Sequence, residues 1–201
     1  MTRLILASAS PRRAALLRQV GFSFEVVEPP LKEKHQEANS PADLVLQLSL
    51  KKAESVADTY RDYYVLAADT VVVLDDKILG KPADYKSARL MLENLSGRKH
   101  EVFTGVTLIN KAAFKRECAV SVTGVWFKKI RIAHLEAYLC SSEPYDKAGA
   151  YGIQGKAGLF VSRIEGSYSN VVGLPLELLY DLFDRMGVPT WLDRKDEGDA
   201  E

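Results

Sequence analysis

Ten residues in the first half of the chain, VLAADTVVVL from Val65 to Leu74, set most of the architecture. All but two are apolar. Such a run reads as a strand buried on both faces, which requires a sheet with covering layers on both sides. Asp69 breaks the run at its centre, where a carboxylate has no cheap place. A residue of this kind is a metal ligand, a base or the partner of a buried cation, or it closes a purely structural ion pair. Thr70 follows it and points to the opposite side of the strand unless the chain bends there.

The rest of the chain supplies the layers. LILA, Leu4–Ala7, is a short strand, and Ser10 and Pro11 then make a good N-cap and first helical position. A helix is expected over residues 11–20, closed by Gly21. FSFEVV, residues 22–27, alternates as a second strand. EPPLKEKHQEANS is a loop, after which Ser40 and Asp43 form a capping-box-like pair for a helix over residues 41–59. The apolar run of Asp69 continues into a hairpin turning at Asp75 and Asp76. Asp84 caps a third helix that carries Ala88, Met91, Leu92 and Leu95 and stops at Gly97. HEVFTGVTLIN and ECAVSVTGVWF are long antiparallel strands joined through residues 110–115. IAHLEAYLC is a short helix, LFVSRIEG and YSNVVG are short strands, and LPLELLYDLFDRMG is a closing amphipathic helix. Helices alternating with strands, some of them in hairpins, predict an α/β (α+β) fold with a mixed sheet and flanking helices.

Several polar residues stand where chemistry is plausible. The strand of Leu4–Ala7 runs straight into a helix N-terminus, whose unpaired N–H groups and dipole suit an anion. Ser8 and Ser10 add hydroxyls, and Arg12 and Arg13 add guanidinium groups that match phosphate. The plainer reading is a capped helix with two solvated arginines. There is no GxxxxGK[ST] and no GxGxxG. Lys52 lies on the face of Leu44 and Leu48, so it either meets a partner in a cleft or runs its stem along the core to water. Lys81, between Gly80 and Pro82, is either presented in a fixed direction or an ordinary turn lysine. DKAGAYGIQG, Asp146 to Gly155, holds three glycines that let a ligand approach the backbone. Gln154 in that loop offers the donor and acceptor that reading a base edge requires.

Composition sets outer bounds. The 201 residues suffice for one large domain or two small lobes, and 47% are hydrophobic. Twenty-seven basic and twenty-seven acidic side chains cancel, which argues against a broad nucleic-acid footprint. Cys118 and Cys140 have no metal-site spacing and read as free thiols of a reducing, cytoplasmic compartment. No window reaches the roughly 18 apolar residues of a membrane span, so no membrane role is expected.

Six blocks, LASASPRR, LKKAESVA, AADTVVVLDDKILGKP, LSGRKHEVFTGV, SSEPYDKAGAYGIQGKAG and VVGLPL, together resemble the Maf family of nucleotide pyrophosphatases, in order and along nearly the whole chain. The loop DKAGAYGIQG is similar to the family's dTTP/UTP branch and unlike its N7-methyl-GTP branch. The resemblance implies one domain of two lobes over residues 1–192 around an active-site cleft, with a charged tail at 193–201. It implies Asp69 as the general base and Arg12, Thr70 and Gln154 as substrate-choosing residues. Ser8, Arg13, Lys52 and Lys81 fall at its phosphate-binding places, and Ser10 joins them as a phosphate-binding candidate by its position at the helix start. Glu33 and Asp69 match its metal positions, although Leu31 and Lys32 stand where many members are acidic. The expected cofactor is Mg²⁺, with Mn²⁺ as a substitute, and the expected partner is a small nucleotide, bound by a homodimer. The family's association with septum formation supplies the alternative, a non-catalytic nucleotide-binding regulator of division.

Overall fold

The computed structural model describes residues 3–31 and 38–193. In chain order the elements are β1 (Leu4–Ala7), α1 (Pro11–Gln19), β2 (Glu25–Val27), α2 (Pro41–Ala57), β3 (Tyr64–Leu74), β4 (Lys77–Leu79) and α3 (Tyr85–Leu95). β5 (Lys99–Asn110), β6 (Lys115–Phe127), α4 (Ile132–Leu139), β7 (Val161–Glu165), α5 (Tyr168–Val172) and α6 (Leu176–Met186) complete them. The strands form one mixed sheet in the order β2-β1-β3-β5-β6-β7, with β4 paired to β3. β1 runs parallel to β2 and β3, and the remaining pairings are antiparallel.

β3 is the axis, and its period-two alternation sorts the layers. Val65 and Ala67 pack on Ala53, Val56 and Ala57, and Val71 and Val73 pack on Leu44 and Val45, all from α2. On the other face Leu66 and Ala68 meet Leu16 and Leu17 of α1 and Leu179, Leu182 and Phe183 of α6. Val72 and Leu74 meet Ala88, Leu92 and Leu95 of α3 and Leu135 and Leu139 of α4. This is the two-sided cover that the apolar run demands. A buried Val or Leu is worth about 1.5–3 kcal/mol, so these contacts dominate the stability of the sheet. α2 lies so close to it that a Cβ on Gly105 would sit 2.4 Å from the Val45 carbonyl oxygen.

β3 is much longer than the strands on its β1 side. β1 pairs with it at Tyr64–Leu66 and β4 at Val72–Leu74. Between them, residues 67–71 have no strand partner on that edge among the described residues. The opening lies where β1 ends, and Asp69 is at its centre. The β3–β4 turn has positive φ at both Asp75 (48°) and Asp76 (62°), the backbone of a two-residue type I′ hairpin.

The structure departs from the sequence expectations most clearly in four places. YSNVVG is a helix, α5, because Ser167 caps it through the Asn170 N–H and Gly173 ends it at φ 118°. The second strand covers only Glu25–Val27, since Phe22 turns away to pack edge-on against Phe183 at 4.9 Å and Phe24 lies under the Arg18 guanidinium. β7 begins at Val161, with Leu159 and Phe160 in the preceding 3-10 turn. α2 stops at Ala57, two residues short.

Candidate active site

β1 ends against the open edge of β3, and the next residues turn sharply. Ser8 is buried and donates its N–H back to Leu6, while its Oγ accepts the Ser10 N–H at 3.1 Å. Ser10 occupies the N-cap position of α1 with extended backbone, and Pro11 follows it. Its hydroxyl caps nothing: no side chain caps α1 among the described residues. The first turn therefore keeps its positive end available to an anion.

The two faces of β3 carry different chemistry at the opening. On the α2 face, Lys52 Nζ lies 2.5 Å from Asp69 Oδ1, and both side chains are largely buried. The inward-facing lysine thus has a specific charge partner, and Asp69 has the buried cation that its place in the strand calls for. On the other face, Arg13 donates to oxygens of Gly173, Thr70 and Ser8. Its Nε donates to the Gly173 carbonyl at 2.7 Å, Nη2 to Thr70 Oγ1 at 3.0 Å and Nη1 to Ser8 Oγ at 3.4 Å. Thr70 Oγ1 contacts Thr104 Oγ1 at 2.9 Å, and Thr104 donates to the Asn170 carbonyl at 3.3 Å. Residues 67–71 have no strand partner on this edge among the described residues, so the two clusters are separated only by the backbone of one strand.

Arg12 reaches to the rim. Its Nη1 lies 3.2 Å from Asp146 Oδ2, joining α1 to the Gly-rich segment. Burial would raise the Asp146 carboxyl, but hydrogen bonds from Lys147 and Arg12 outweigh it and hold the group below its ordinary value. Gln154 is exposed in that segment and lies outside the Arg13 network. The turn that presents it is fixed by Glu143, whose carboxylate accepts the N–H groups of Lys156 at 2.9 Å and Ala157 at 3.3 Å. Gly155 is needed there, since a Cβ would fall 2.2 Å from Glu143 Oε1. Lys81 is exposed just after β4, and the Gly80 carbonyl beside it accepts the Gly149 N–H, tying its turn to the same segment.

Asp69 is the carboxylate that the described residues bring to the opening. No group of three His, Cys, Asp or Glu side chains forms a metal cage among them. One carboxylate fits a Mg²⁺ ion held chiefly by substrate phosphates, the usual mode for that ion. Glu33, the other expected ligand, lies outside the described residues, as does the tail from residue 194.

Sequence reasoning missed Thr104, Asn170, Gly173, Asp146 and Glu143. Two of them left a signal. Thr104 is a hydroxyl inside the apolar stretch of β5, and Asn170 is an amide among Val171, Val172 and Leu174; both are fully buried. His100 is buried too, but it belongs to the core under α3 and α4, where Nε2 meets the Tyr151 hydroxyl at 2.8 Å.

A helix N-terminus, a clamped arginine and an ion-paired carboxylate at a gap in a mixed sheet mark an α/β protein with a candidate site for an anion. Its fold is also that of the Staphylococcus aureus Ham1 protein, with a TM-score of 0.55 over 92% of this chain and 100% of that one, at 10% identity. The chain belongs to the Maf-like protein family, whose profile matches residues 3–186. A relative from Carboxydothermus hydrogenoformans is 49% identical over 178 residues, 89% of this chain and 95% of its own. One from Vibrio parahaemolyticus is 48% identical over 174 residues, covering 86% and 91%. Both are named dTTP/UTP pyrophosphatase. No described helix is long and apolar enough to cross a membrane.

Proposed function

We propose that this chain is a nucleoside triphosphate pyrophosphatase that cleaves dTTP and UTP to the monophosphate and pyrophosphate. The observation that carries the reading is the placing of Asp69–Lys52 and Arg13–Ser8 on either side of one stretch of β3 that has no strand partner at that edge. The names of the close relatives support the substrates.

In this reading the N-terminal turn of α1, with Ser8 and Ser10, receives phosphate oxygens, and Arg13 adds fixed positive charge beside them. Asp69 orients a water and takes its proton as the water oxygen bonds to the α-phosphorus. The bond from the α-phosphorus to the bridging oxygen breaks, and the electron pair leaves with pyrophosphate. Lys52 lies within reach of Asp69 and offers a cation to the transferring group as charge builds on it. Lys81 would meet the outer phosphates from the β4 side. Arg12, Thr70 and Gln154 are the expected substrate-choosing residues. Mg²⁺ held by Asp69, Glu33 and the nucleotide phosphates would neutralise charge on the leaving group, with Mn²⁺ as a substitute. The role would be cytoplasmic removal of unwanted pyrimidine nucleotides. A pure binder of nucleotide has little use for a carboxylate inside an anion site, because it repels the ligand.

The test is pyrophosphate release from dTTP, UTP, CTP, GTP and N7-methyl-GTP with Mg²⁺ and the purified chain. Release from dTTP and UTP and not from N7-methyl-GTP is expected. Release from N7-methyl-GTP alone would overturn the substrate assignment, and none from any nucleotide, with Mn²⁺ also silent, would overturn the enzyme.

A further inference from the structure

One side chain stands behind both Arg12 and the turn of Gln154. Lys147 lies in the Gly-rich segment, and its side chain is 14% exposed against 63% for its neighbour Asp146. Its Nζ donates to the Glu143 carbonyl at 2.8 Å and to Asp146 Oδ1. The other Asp146 oxygen, Oδ2, accepts from Arg12 Nη1 of α1 at 3.2 Å. Each carboxylate oxygen thus has its own cation, which sets the plane of the carboxylate and with it the place of the Arg12 fork. An ion pair as exposed as Arg12–Asp146 orders little by itself. The inner cation, Lys147, gives it a fixed end.

The stem of the same lysine runs to the Gln154 turn. A Cβ on Gly152 would fall 2.7 Å from Lys147 Cδ and Cε, so the backbone two residues before Gln154 rests directly on the lysine chain. Beyond the turn, the Glu143 carboxylate holds the Lys156 and Ala157 amides. The bond from Lys147 Nζ to the Glu143 carbonyl joins these two supports. An ammonium group has three protons, and two of these are directed to oxygens of its own segment. Such a lysine acts as a brace.

Resting on the pyrophosphatase reading, we propose that Lys147 is a positioning residue for substrate choice: it fixes Arg12 through Asp146 and seats the Gln154 turn through Gly152. Two substrate-choosing residues, one carried by α1 and one by the Gly-rich segment, are then set by a single side chain. Removing its ammonium group should loosen both at once and leave the phosphate contacts in place.

The test uses Lys147→Met, which keeps the stem and removes the charge, and Asp146→Asn, which keeps the shape. Lys86→Met, at an exposed lysine of α3, is the control for loss of a positive charge. Calorimetry on the full chain gives two affinities, for a dTTP analogue with a methylene group as the α,β bridge and for inorganic tripolyphosphate. Lys147→Met should raise the analogue's Kd about tenfold, the scale of hydrogen bonds to a charged group, and leave the tripolyphosphate Kd within about twofold. KM for dTTP should rise with that Kd while kcat holds. Asp146→Asn should shift the analogue's Kd in the same direction, and Lys86→Met should leave both affinities unchanged. Added to Lys147→Met, Arg12→Ala or Gln154→Ala should each weaken the analogue by less than about threefold more, because residues set by one brace are not additive. A folded Lys147→Met with wild-type affinity for the analogue, an equal loss on tripolyphosphate, or full separate losses from Arg12→Ala and Gln154→Ala in its background would each overturn the proposal. Should Lys147→Met fail to fold, Asp146→Asn decides by the same two affinities. Calorimetry needs no turnover, so a wild-type chain that binds the analogue and hydrolyses no nucleotide would sink the enzyme reading alone.

Discussion

Asp69 and Thr70 are adjacent in the chain and face opposite sides of β3: Asp69 pairs with Lys52 of α2 at 2.5 Å, and Thr70 accepts a 3.0 Å hydrogen bond from Arg13 of α1. The alternation of an unbent strand delivers one residue to each layer. Neither cluster is a site alone. They lie back to back across the stretch of β3 between Leu66, where β1 leaves its edge, and Val72, where β4 rejoins it, so only the backbone of this strand separates them.

Replacing Asp69 by Asn keeps the size and removes the proton acceptor. Turnover of dTTP should fall at least about 100-fold, the lower range for general-base catalysis. Wild-type turnover in the variant would show that another group takes the proton.

Gln154 and Glu143 should act on specificity together. Gln154→Ala should change the ranking of dTTP, UTP and CTP while hydrolysis persists. Glu143→Gln weakens the bonds to the Lys156 and Ala157 amides that hold the Gln154 turn, and should move the ranking the same way. Equal losses on every nucleotide would argue against base reading by this loop.

Gly105→Ala should destabilise the fold and the site at once. Its Cβ would press on the Val45 backbone of α2, which cannot yield without lifting the helix that carries Lys52. Overpacking of this kind costs about 1–3 kcal/mol. Urea denaturation should show the loss, and an unchanged midpoint would mean that α2 is not held as described.

Stability should fall on acidification through His100. Burial pushes its imidazole down from 6.5 to about 4. Between those values the unfolded chain binds a proton that the folded one refuses, so the contribution is intact above pH 6.5 and is lost as the pH drops to about 4. The size is roughly 3 kcal/mol, from 1.36 kcal/mol per pH unit. His100→Gln should flatten this part of the pH profile of unfolding free energy, and a profile unchanged by the substitution would assign the slope to other groups.

Much of this was legible in the sequence. The apolar run around Asp69 gives the central strand, and Ser10–Pro11, Asp84 and Gly97 mark helix ends that the structure keeps. Lys52 could be placed on the inward face of α2 by spacing alone. The role of YSNVVG was not legible as structure. Its two valines favour a strand, and only the cap at Ser167 and the bond from Asn170 to Val102, far away in the chain, make it the helix that grips Arg13. Asp146 and Glu143 were hidden for the same reason, since their partners Arg12, Lys156 and Ala157 are neighbours only in space.

The most direct measurement is hydrolysis of dTTP in water labelled with heavy oxygen, followed by mass analysis of both products. Attack on the α-phosphorus puts the label in dTMP and leaves pyrophosphate unlabelled, which is the predicted result. Label in pyrophosphate or in orthophosphate would mean attack at an outer phosphorus, and would contradict the placing of Asp69 and its water at the α-phosphate.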